Sequence, residues 1–337
     1  MDRKRVLVAA PSWVGDLVMA DTLFKLLKSQ TPAAAIDVLA PAWALPLAAR
    51  MAEVDTPIEL PAGHGELALG ERWRLAWRLR RNGYARAFVL PRSAKAALVP
   101  WLARVPRRIG YRGEMRYGLI NDIRRLNPAH ERLVQRYAAL AFAPGTTLPD
   151  SLPSPVLSSD AAAQNDVFAR LHLDASPAPV VLCPGAEYGP AKRWPIDSYA
   201  QLAAQLRALG RKVWVVGSAG ERALGERIAA GAPGSRNLAG DTTLVEAVDV
   251  MAAAAAVVSN DSGLMHVAAA LGRPLVALYG SSSPRYTPPA AADARIIYHD
   301  LECSPCFARE CPLGHFNCLR GVSVAEVLTA LEGLHVL

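Results

Sequence analysis

The sequence runs to 337 residues, 52% hydrophobic and 20% charged, which is globular in composition, long enough for two domains, and not that of a disordered chain. No apolar run approaches the roughly 20 residues that cross a bilayer, and the longest, residues 251–258, is mostly alanine. The net charge of +7 is uneven: residues 1–143 carry 23 Lys and Arg against 12 Asp and Glu, whereas the remainder carries 14 against 18.

A basic first part beside a mildly acidic second implies that only the first meets an anionic partner. Nucleic acid, anionic lipid headgroups and phosphorylated saccharide all satisfy that, and so does a plain solvated basic face. Residues 1–5 lead into an apolar run of five residues before Pro11, too short for a secretory signal, so a cytoplasmic protein is expected.

Along the chain, short β-branched runs alternate with helical stretches, the pattern of parallel α/β units. Residues 5–10 read as a buried strand, and a helix follows over about 16–28 with Leu17, Leu23, Phe24 and Leu27 on one face. Strands are expected at 36–40, 56–60, 87–90 and 108–111, with helices around 71–81 and 95–103. Residues 143–179 are rich in Pro, Ser and Asp around one short helical patch and make the best linker candidate. The pattern then restarts, with strands at 180–183, 212–216, 257–258 and 274–279. Helices are expected at 196–209, 221–230, 244–254, 263–271 and 324–334. The expected architecture is α/β: a doubly wound Rossmann-like domain over 1–150, a linker over 151–178, a second such domain over 179–322 facing the first across a cleft, and a C-terminal helix over 323–337.

In such sheets ligands bind beyond the carboxyl ends of strands, so the loops there carry the chemistry. The first, residues 11–16, has Gly15 for a tight turn and Asp16 in the first helical turn. There the helix dipole stabilises a carboxylate, and a carboxylate in a cleft can serve as general base. An ordinary helix-capping role is the alternative. The second loop, residues 184–195, ends on Lys192 and Arg193. A lysine there suits a diphosphate whose leaving oxygen gains charge, against the alternative of a solvated pair. The third runs Ser259-Asn-Asp-Ser-Gly-Leu-Met-His266 into a helix. A helix start at Ser262-Gly263 offers free amide groups to a phosphate. Asp261 orients the loop or meets a sugar, and His266 is either a ligand contact or a packed core histidine. No G-x-G-x-x-G follows the first strand and no G-x-x-x-x-G-K-[ST] occurs, which disfavours dinucleotide dehydrogenases and P-loop ATPases.

Cys183 ends an apolar run and reads as a small buried hydrophobe. Cys303, Cys306, Cys311 and Cys318, with His315 among them, lie within sixteen residues. Four thiols so spaced can wrap Zn²⁺, although the spacing is not that of a paired C-x2-C knuckle. Free thiols packing a loop, or a disulfide formed under oxidising handling, are the alternatives. The reading adopted is a structural set of free thiols with no bound metal.

The segments APSWVGDLVMADTLFKLL, IDVLAPAW, RGEMRYGLIND, CPGAEYGPAKRWP, RNLAGDTTL and SNDSGLMHVAAALGRPLVALYG follow one another from Ala10 to Gly280. In order and wording they resemble the ADP-heptose:lipopolysaccharide heptosyltransferases. The resemblance implies a GT-B fold and inverting transfer of L-glycero-D-manno-heptose from ADP-heptose to the first heptose of the lipopolysaccharide inner core. It implies Asp16 as catalytic base, and a donor site of Lys192, Asp261, Ser262, Gly263, Leu264 and His266. Ser218, Glu221, Leu238 and Gly240 are expected around the adenosine, and Ser12, Trp13, Arg92, Lys95, Arg112 and Arg116 on the acceptor side. The implied partners are ADP-heptose, a heptosyl-Kdo2-lipid A type acceptor and the cytoplasmic face of the inner membrane, held peripherally, and not nucleic acid. No cofactor is required, because a fixed lysine and a helix N-terminus can take a metal's part. A sugar-nucleotide epimerase on the same architecture and a non-catalytic basic nucleotide binder are the rivals.

Overall fold

The structure, a computed structural model, describes residues 5–61 and 66–337. Residues 1–4, the basic leader considered above, lie outside the described residues. The chain divides into two units, Met1–Pro155 and Val156–Leu337.

In the first unit β1 (Arg5–Ala9) is a run of Val, Leu and Ala buried on both sides, as a central parallel strand requires. It feeds α1 (Val14–Gln30), followed by β2 (Ala35–Ala40), α2 (Leu45–Ala48), β3 (Thr56–Glu59), α3 (Leu69–Leu79) and β4 (Arg86–Val89). The unit continues with α4 (Ala94–Leu102), β5 (Arg107–Tyr111), β6 (Asp122–Arg124) and α5 (Leu133–Ala139). The six strands are all parallel, in the order β3-β2-β1-β4-β5-β6. Helix α1 was expected to bury one face. It buries most of its circumference, Asp21 and Thr22 included, and packs against α5, which the sequence pattern had not suggested.

The second unit comprises α6 (Ala161–Leu171), β7 (Val180–Cys183), α7 (Ile196–Ala208), β8 (Val213–Val215), α8 (Arg222–Gly231) and β9 (Arg236–Asn237). Then come α9 (Leu244–Ala252), β10 (Ala256–Asn260), α10 (Gly263–Ala270), β11 (Leu275–Tyr279), β12 (Ala294–Tyr298), α11 (Asn317–Arg320) and α12 (Val324–Glu332). Its parallel sheet runs β12-β11-β10-β7-β8-β9, the same 3-2-1-4-5-6 order when counted from β7. Residues 151–178, expected as a linker, mostly belong here. The Asp160 amide donates to Asp249 Oδ1 at 2.8 Å, Gln164 Nε2 to the Asp249 carbonyl at 2.6 Å, and the Phe168 and Trp214 rings meet edge to face at 5.6 Å. Nor does α12 stand apart, for Val327 and Leu331 are fully buried in the same core as β7 and α7.

One buried polar side chain ties this unit together at the end of β10. Asn260 is fully buried. Its Oδ1 accepts from the Trp194 amide at 3.0 Å and the Tyr199 hydroxyl at 3.2 Å, and its Nδ2 donates to the Pro184 carbonyl at 2.7 Å. Trp194 and Tyr199, also fully buried, meet edge to face with centroids 4.8 Å apart. The Trp194 Nε1 in turn donates to the Val322 carbonyl at 2.9 Å, just before α12. Asn260→Ala strands these buried groups, so a loss of about 2–3 kcal/mol is expected in urea unfolding. A loss under about 0.5 kcal/mol, ordinary for a surface change, would show that the carboxamide holds nothing.

Candidate active site

An open parallel sheet of this order receives ligands where the strand order reverses, which lies between β1 and β4 in the first unit and between β7 and β10 in the second. Each loop singled out in the sequence leaves a strand at or beside one of these points.

In the first unit the chain leaves β1 through Ser12 and Trp13, both exposed. Trp13 is the N-cap of α1 and offers no side-chain cap, so Asp16 is not the capping residue. It is the third helical residue, half-buried in the first turn. The next strands in the sheet, β4 and β5, deliver the basic residues. Arg92 and Arg112 are exposed and joined, Arg92 Nε donating to the Arg112 carbonyl at 3.1 Å. Lys95 lies half-buried in the first turn of α4, whose leading amide at Ala94 donates to Glu114 Oε2 at 2.8 Å. Arg116 differs from the other three. It is buried, and its guanidinium donates to the carbonyls of Pro91 and Tyr111 at 2.6 Å each and of Ser93 at 3.2 Å. It holds the β4 and β5 loops together from beneath and does not project from them. Gly113 fits the same closeness, since a Cβ there would run into the Arg92 carbonyl.

In the second unit the loops after β10, β7, β8 and β9, neighbours in that order, gather all the residues expected at the donor site. Lys192 ends a short 3-10 turn after β7, and its Nζ pairs with Asp261 Oδ2 at 2.6 Å, with Asp261 nearly fully buried. Asp261 therefore holds the lysine in place, and the pair carries no net charge by itself. Ser262 is the N-cap of α10 without a side-chain cap, its Oγ 3.3 Å from the Ser259 hydroxyl. Gly263 and Leu264 are half-buried in the first turn. His266, 5% exposed, sits a turn further in, and burial pushes its imidazole down to about 4 against a smaller upward pull from Asp261. It is neutral at pH 7.

The adenosine candidates surround Gly217 at the end of β8. Glu221 Oε2 accepts from the Ser218 amide at 2.7 Å and hydroxyl at 3.0 Å. The same carboxylate lies so close to Gly185 and Gly217 that a Cβ at either would collide with it. The Gly240 amide donates to the Gly217 carbonyl at 3.0 Å, and Leu238 is buried beneath that turn.

The cysteine-bearing stretch packs directly on the lysine loop. The Tyr188 hydroxyl donates to the Phe307 carbonyl at 2.6 Å and the Ala191 amide to the Arg309 carbonyl at 3.0 Å. The Arg309 guanidinium and the Lys192 ammonium lie 5.3 and 5.2 Å from the Tyr188 ring centre. All four clustered cysteines and His315 line one cavity of about 20 Å³, and their thiols are free. The Phe316 amide donates to Cys311 Sγ and draws that thiol below its usual range. Among the described residues no three His, Cys, Asp or Glu side chains are grouped to hold a metal ion. Cys183 is buried as expected, and burial pushes its thiol up. Asn260, Tyr188 and Arg309 were not foreseen. Asn260 lies inside a quoted segment but beside the more conspicuous Asp261, and nothing in the order of residues links Arg309 to a loop 117 positions earlier.

Residues 72–317 match the family described as glycosyltransferase family 9 (heptosyltransferase). The chain is 49% identical to lipopolysaccharide heptosyltransferase 2 of Salmonella typhimurium, over 98% of both sequences. It is 46% identical to lipooligosaccharide heptosyltransferase 2 of Haemophilus influenzae, over 87% of this chain and 88% of that one. The solved structure of E. coli ADP-heptose lps heptosyltransferase II superposes with a TM-score of 0.88 at 43% identity, covering 98% of each chain. These likenesses set aside the epimerase and the non-catalytic binder. The chain belongs to glycosyltransferase family 9, the heptosyltransferases, and is a transferase of GT-B fold.

Proposed function

We propose that this enzyme moves L-glycero-D-manno-heptose from ADP-heptose onto the first heptose of a heptosyl-Kdo2-lipid A type acceptor, at the cytoplasmic face of the inner membrane. The full-length identity to lipopolysaccharide heptosyltransferase 2 carries the reading. In the reaction an acceptor hydroxyl oxygen forms a bond to the anomeric carbon from the face opposite ADP. The bond from that carbon to the diphosphate oxygen breaks, and its electron pair leaves with ADP. Passage through an oxocarbenium-like state inverts the configuration, as in other direct displacements at a sugar.

Asp16 takes the acceptor proton. It lies in the first turn of α1, the helix that follows the β1 loop, where a helix dipole favours a carboxylate. Lys192 meets the departing diphosphate. With Asp261 occupying one of its ammonium hydrogens, two remain for phosphate oxygens. The amide groups at Ser262 and Gly263 add the positive end of α10. Hydrogen bonds from the ammonium and from the amides at the start of α10 serve the leaving group, so the reading needs no divalent ion. Arg92, Lys95 and Arg112 are assigned to acceptor phosphates, with Arg116 as their support.

Incubating the protein with ADP-heptose and a core acceptor bearing one heptose should give an acceptor heavier by one heptose. Release of ADP without that product would defeat the proposal. Asp16→Asn keeps shape and removes basicity, and is expected to lower turnover by about two to four orders of magnitude with donor binding intact. Near-normal turnover would leave Asp16 a dipole partner only.

Removing Lys192 alone would strand Asp261, so the test uses Lys192→Met together with Asp261→Asn, which leaves net charge unchanged. Loss of the charged hydrogen bonds should weaken ADP about 10- to 100-fold by calorimetry. Equal affinity in both proteins takes Lys192 out of the donor site.

Since His266 is held neutral, it offers the diphosphate a hydrogen bond and no charge. Its folded value near 4 lies below the ordinary 6.5, so the unfolded chain takes up the proton first. Stability is then complete above pH 6.5 and falls as pH drops toward 4, by about 2 kcal/mol at pH 5. His266→Gln should flatten that fall in urea midpoints measured from pH 7.5 to 5. Identical slopes would mean that His266 is not the titrating group.

A further inference from the structure

Helix α3 presents two faces of unlike character. Arg72, Leu75, Ala76 and Leu79 are buried, and the helix lies parallel to α4. At one end Arg72 donates to the Lys95 carbonyl at 3.2 Å, and just past the other Arg80 donates to the Leu102 carbonyl at 2.9 Å. The outer face repeats a large apolar residue every four positions, Leu69, Trp73 and Trp77, each more than half exposed. Spacing of four puts them in one stripe along the helix. The two indoles stack with centroids 5.8 Å apart and planes 22° from parallel. The Arg80 guanidinium lies 4.5 Å from the Trp77 ring centre, so the hydrogen bond that ties Arg80 to α4 also steadies the stack. Trp101, 44% exposed, is next in the chain to the residue that accepts that bond. Between and beyond the indoles, Arg74, Arg78 and Arg81 are exposed, Arg74 in a surface ion pair with Glu71 at 2.6 Å.

Burial of these side chains would follow from the hydrophobic effect if anything covered them, and nothing in the transfer chemistry asks for them. The helix joins β3 to β4 and contributes no residue to the loops assigned above. We propose that this face docks on an anionic lipid bilayer, with Trp73 and Trp77 seated at headgroup depth and Arg74, Arg78 and Arg81 against lipid phosphates. Indoles favour the membrane interface, and an amphipathic helix with tryptophan on one side and arginine beside it lies in the plane of that interface. Charge complementarity selects the occupant. A second copy of this chain laid symmetrically on the same face would bring arginines against arginines, whereas an anionic bilayer offers each a phosphate. Residues 1–143, with an excess of eleven positive charges, favour the same surface. The inference rests on the reading of a lipid-linked acceptor, and it differs from the basic loops at Arg92, Lys95 and Arg112, because its anchor is apolar.

The test uses the whole protein and co-sedimentation with phosphatidylcholine vesicles, with and without about a quarter phosphatidylglycerol. The wild type is expected to bind the anionic vesicles with a blue shift in tryptophan emission, more weakly but still measurably at about 0.5 M salt. Replacing both indoles, Trp73→Ser with Trp77→Ser, should lower the partition coefficient at least about tenfold at either salt and remove the shift. Arg74→Glu with Arg78→Glu should abolish the preference for anionic over neutral vesicles. All four positions are exposed, so thermal midpoints should hold. ADP release on a water-soluble, delipidated acceptor should also stay at the wild-type rate. Wild-type failure to bind either vesicle, or undiminished binding by the double tryptophan variant, overturns the docking face. So does a wild-type dimer that this variant splits without any change on vesicles. A wild type that releases no ADP on the soluble acceptor defeats the functional reading, and the vesicle results still decide the docking face.

Discussion

The second unit depends on a buried carboxamide. Three segments that meet at the end of β10, namely the loop after β7, the start of α7 and the residues before α12, share an apolar core, whose non-directional packing sets no single meeting point. Asn260, with the Trp194 and Tyr199 it binds, gives them one. A side chain with both a donor and an acceptor can be satisfied in only a few orientations, and a buried one must be satisfied. The Asn260 network therefore fixes direction as well as distance. Asp261, the next residue, then emerges at a set point to meet Lys192. The ion pair is a consequence of that placement, and its worth lies in aiming a lysine, since burying two charges adds little net stability.

A second constraint is contact across long sequence separations. The lysine loop is fastened on one side by Asn260 and on the other by hydrogen bonds from the Tyr188 hydroxyl to the Phe307 carbonyl and from the Ala191 amide to the Arg309 carbonyl. Gly189 can be nothing larger, because its φ of +155° is already unusual for a side-chain-bearing residue and a Cβ would strike the Arg309 carbonyl. The cysteine stretch thus acts as a brace behind the donor loop, and its four cysteines, from buried Cys318 to exposed Cys306, line a small cavity.

Much of this was legible in the sequence because parallel α/β units announce themselves. Central strands such as β1, β7 and β11 are continuous apolar runs, and their boundaries fall within a residue or two of expectation. Edge elements were harder. β6 and β9 are three and two residues long, and β12 exposes Arg295 and Ile296, so none carries an apolar signature. The short helical patch in the expected linker is the eleven-residue α6, and its Pro and Ser flanks, with burial that is slight apart from Val167, gave no sign that it belongs to the second unit. For the site, residue types at loop positions were readable and partners were not. Lys192 and Asp261 both stood out, but their pairing depends on how two loops sixty-nine residues apart converge. Arg116 looked like any other loop arginine, and only its burial separates it from Arg92 and Arg112.

Helix beginnings in this protein are of two kinds. Where Asp160, Thr243 and Ser323 open α6, α9 and α12, a side-chain oxygen accepts from the first turn. At α2, α3, α4, α7, α8 and α11, as at α1 and α10, the N-cap side chain makes no such bond. A side-chain cap is worth about 1 kcal/mol, and at α10, which starts beside the point of strand reversal, a cap would occupy amides that the proposed mechanism gives to a phosphate. Sequence changes that add a capping side chain should accordingly be harmless at helix starts remote from the assigned loops and antagonistic to activity at α10, a local form of the trade between stability and function.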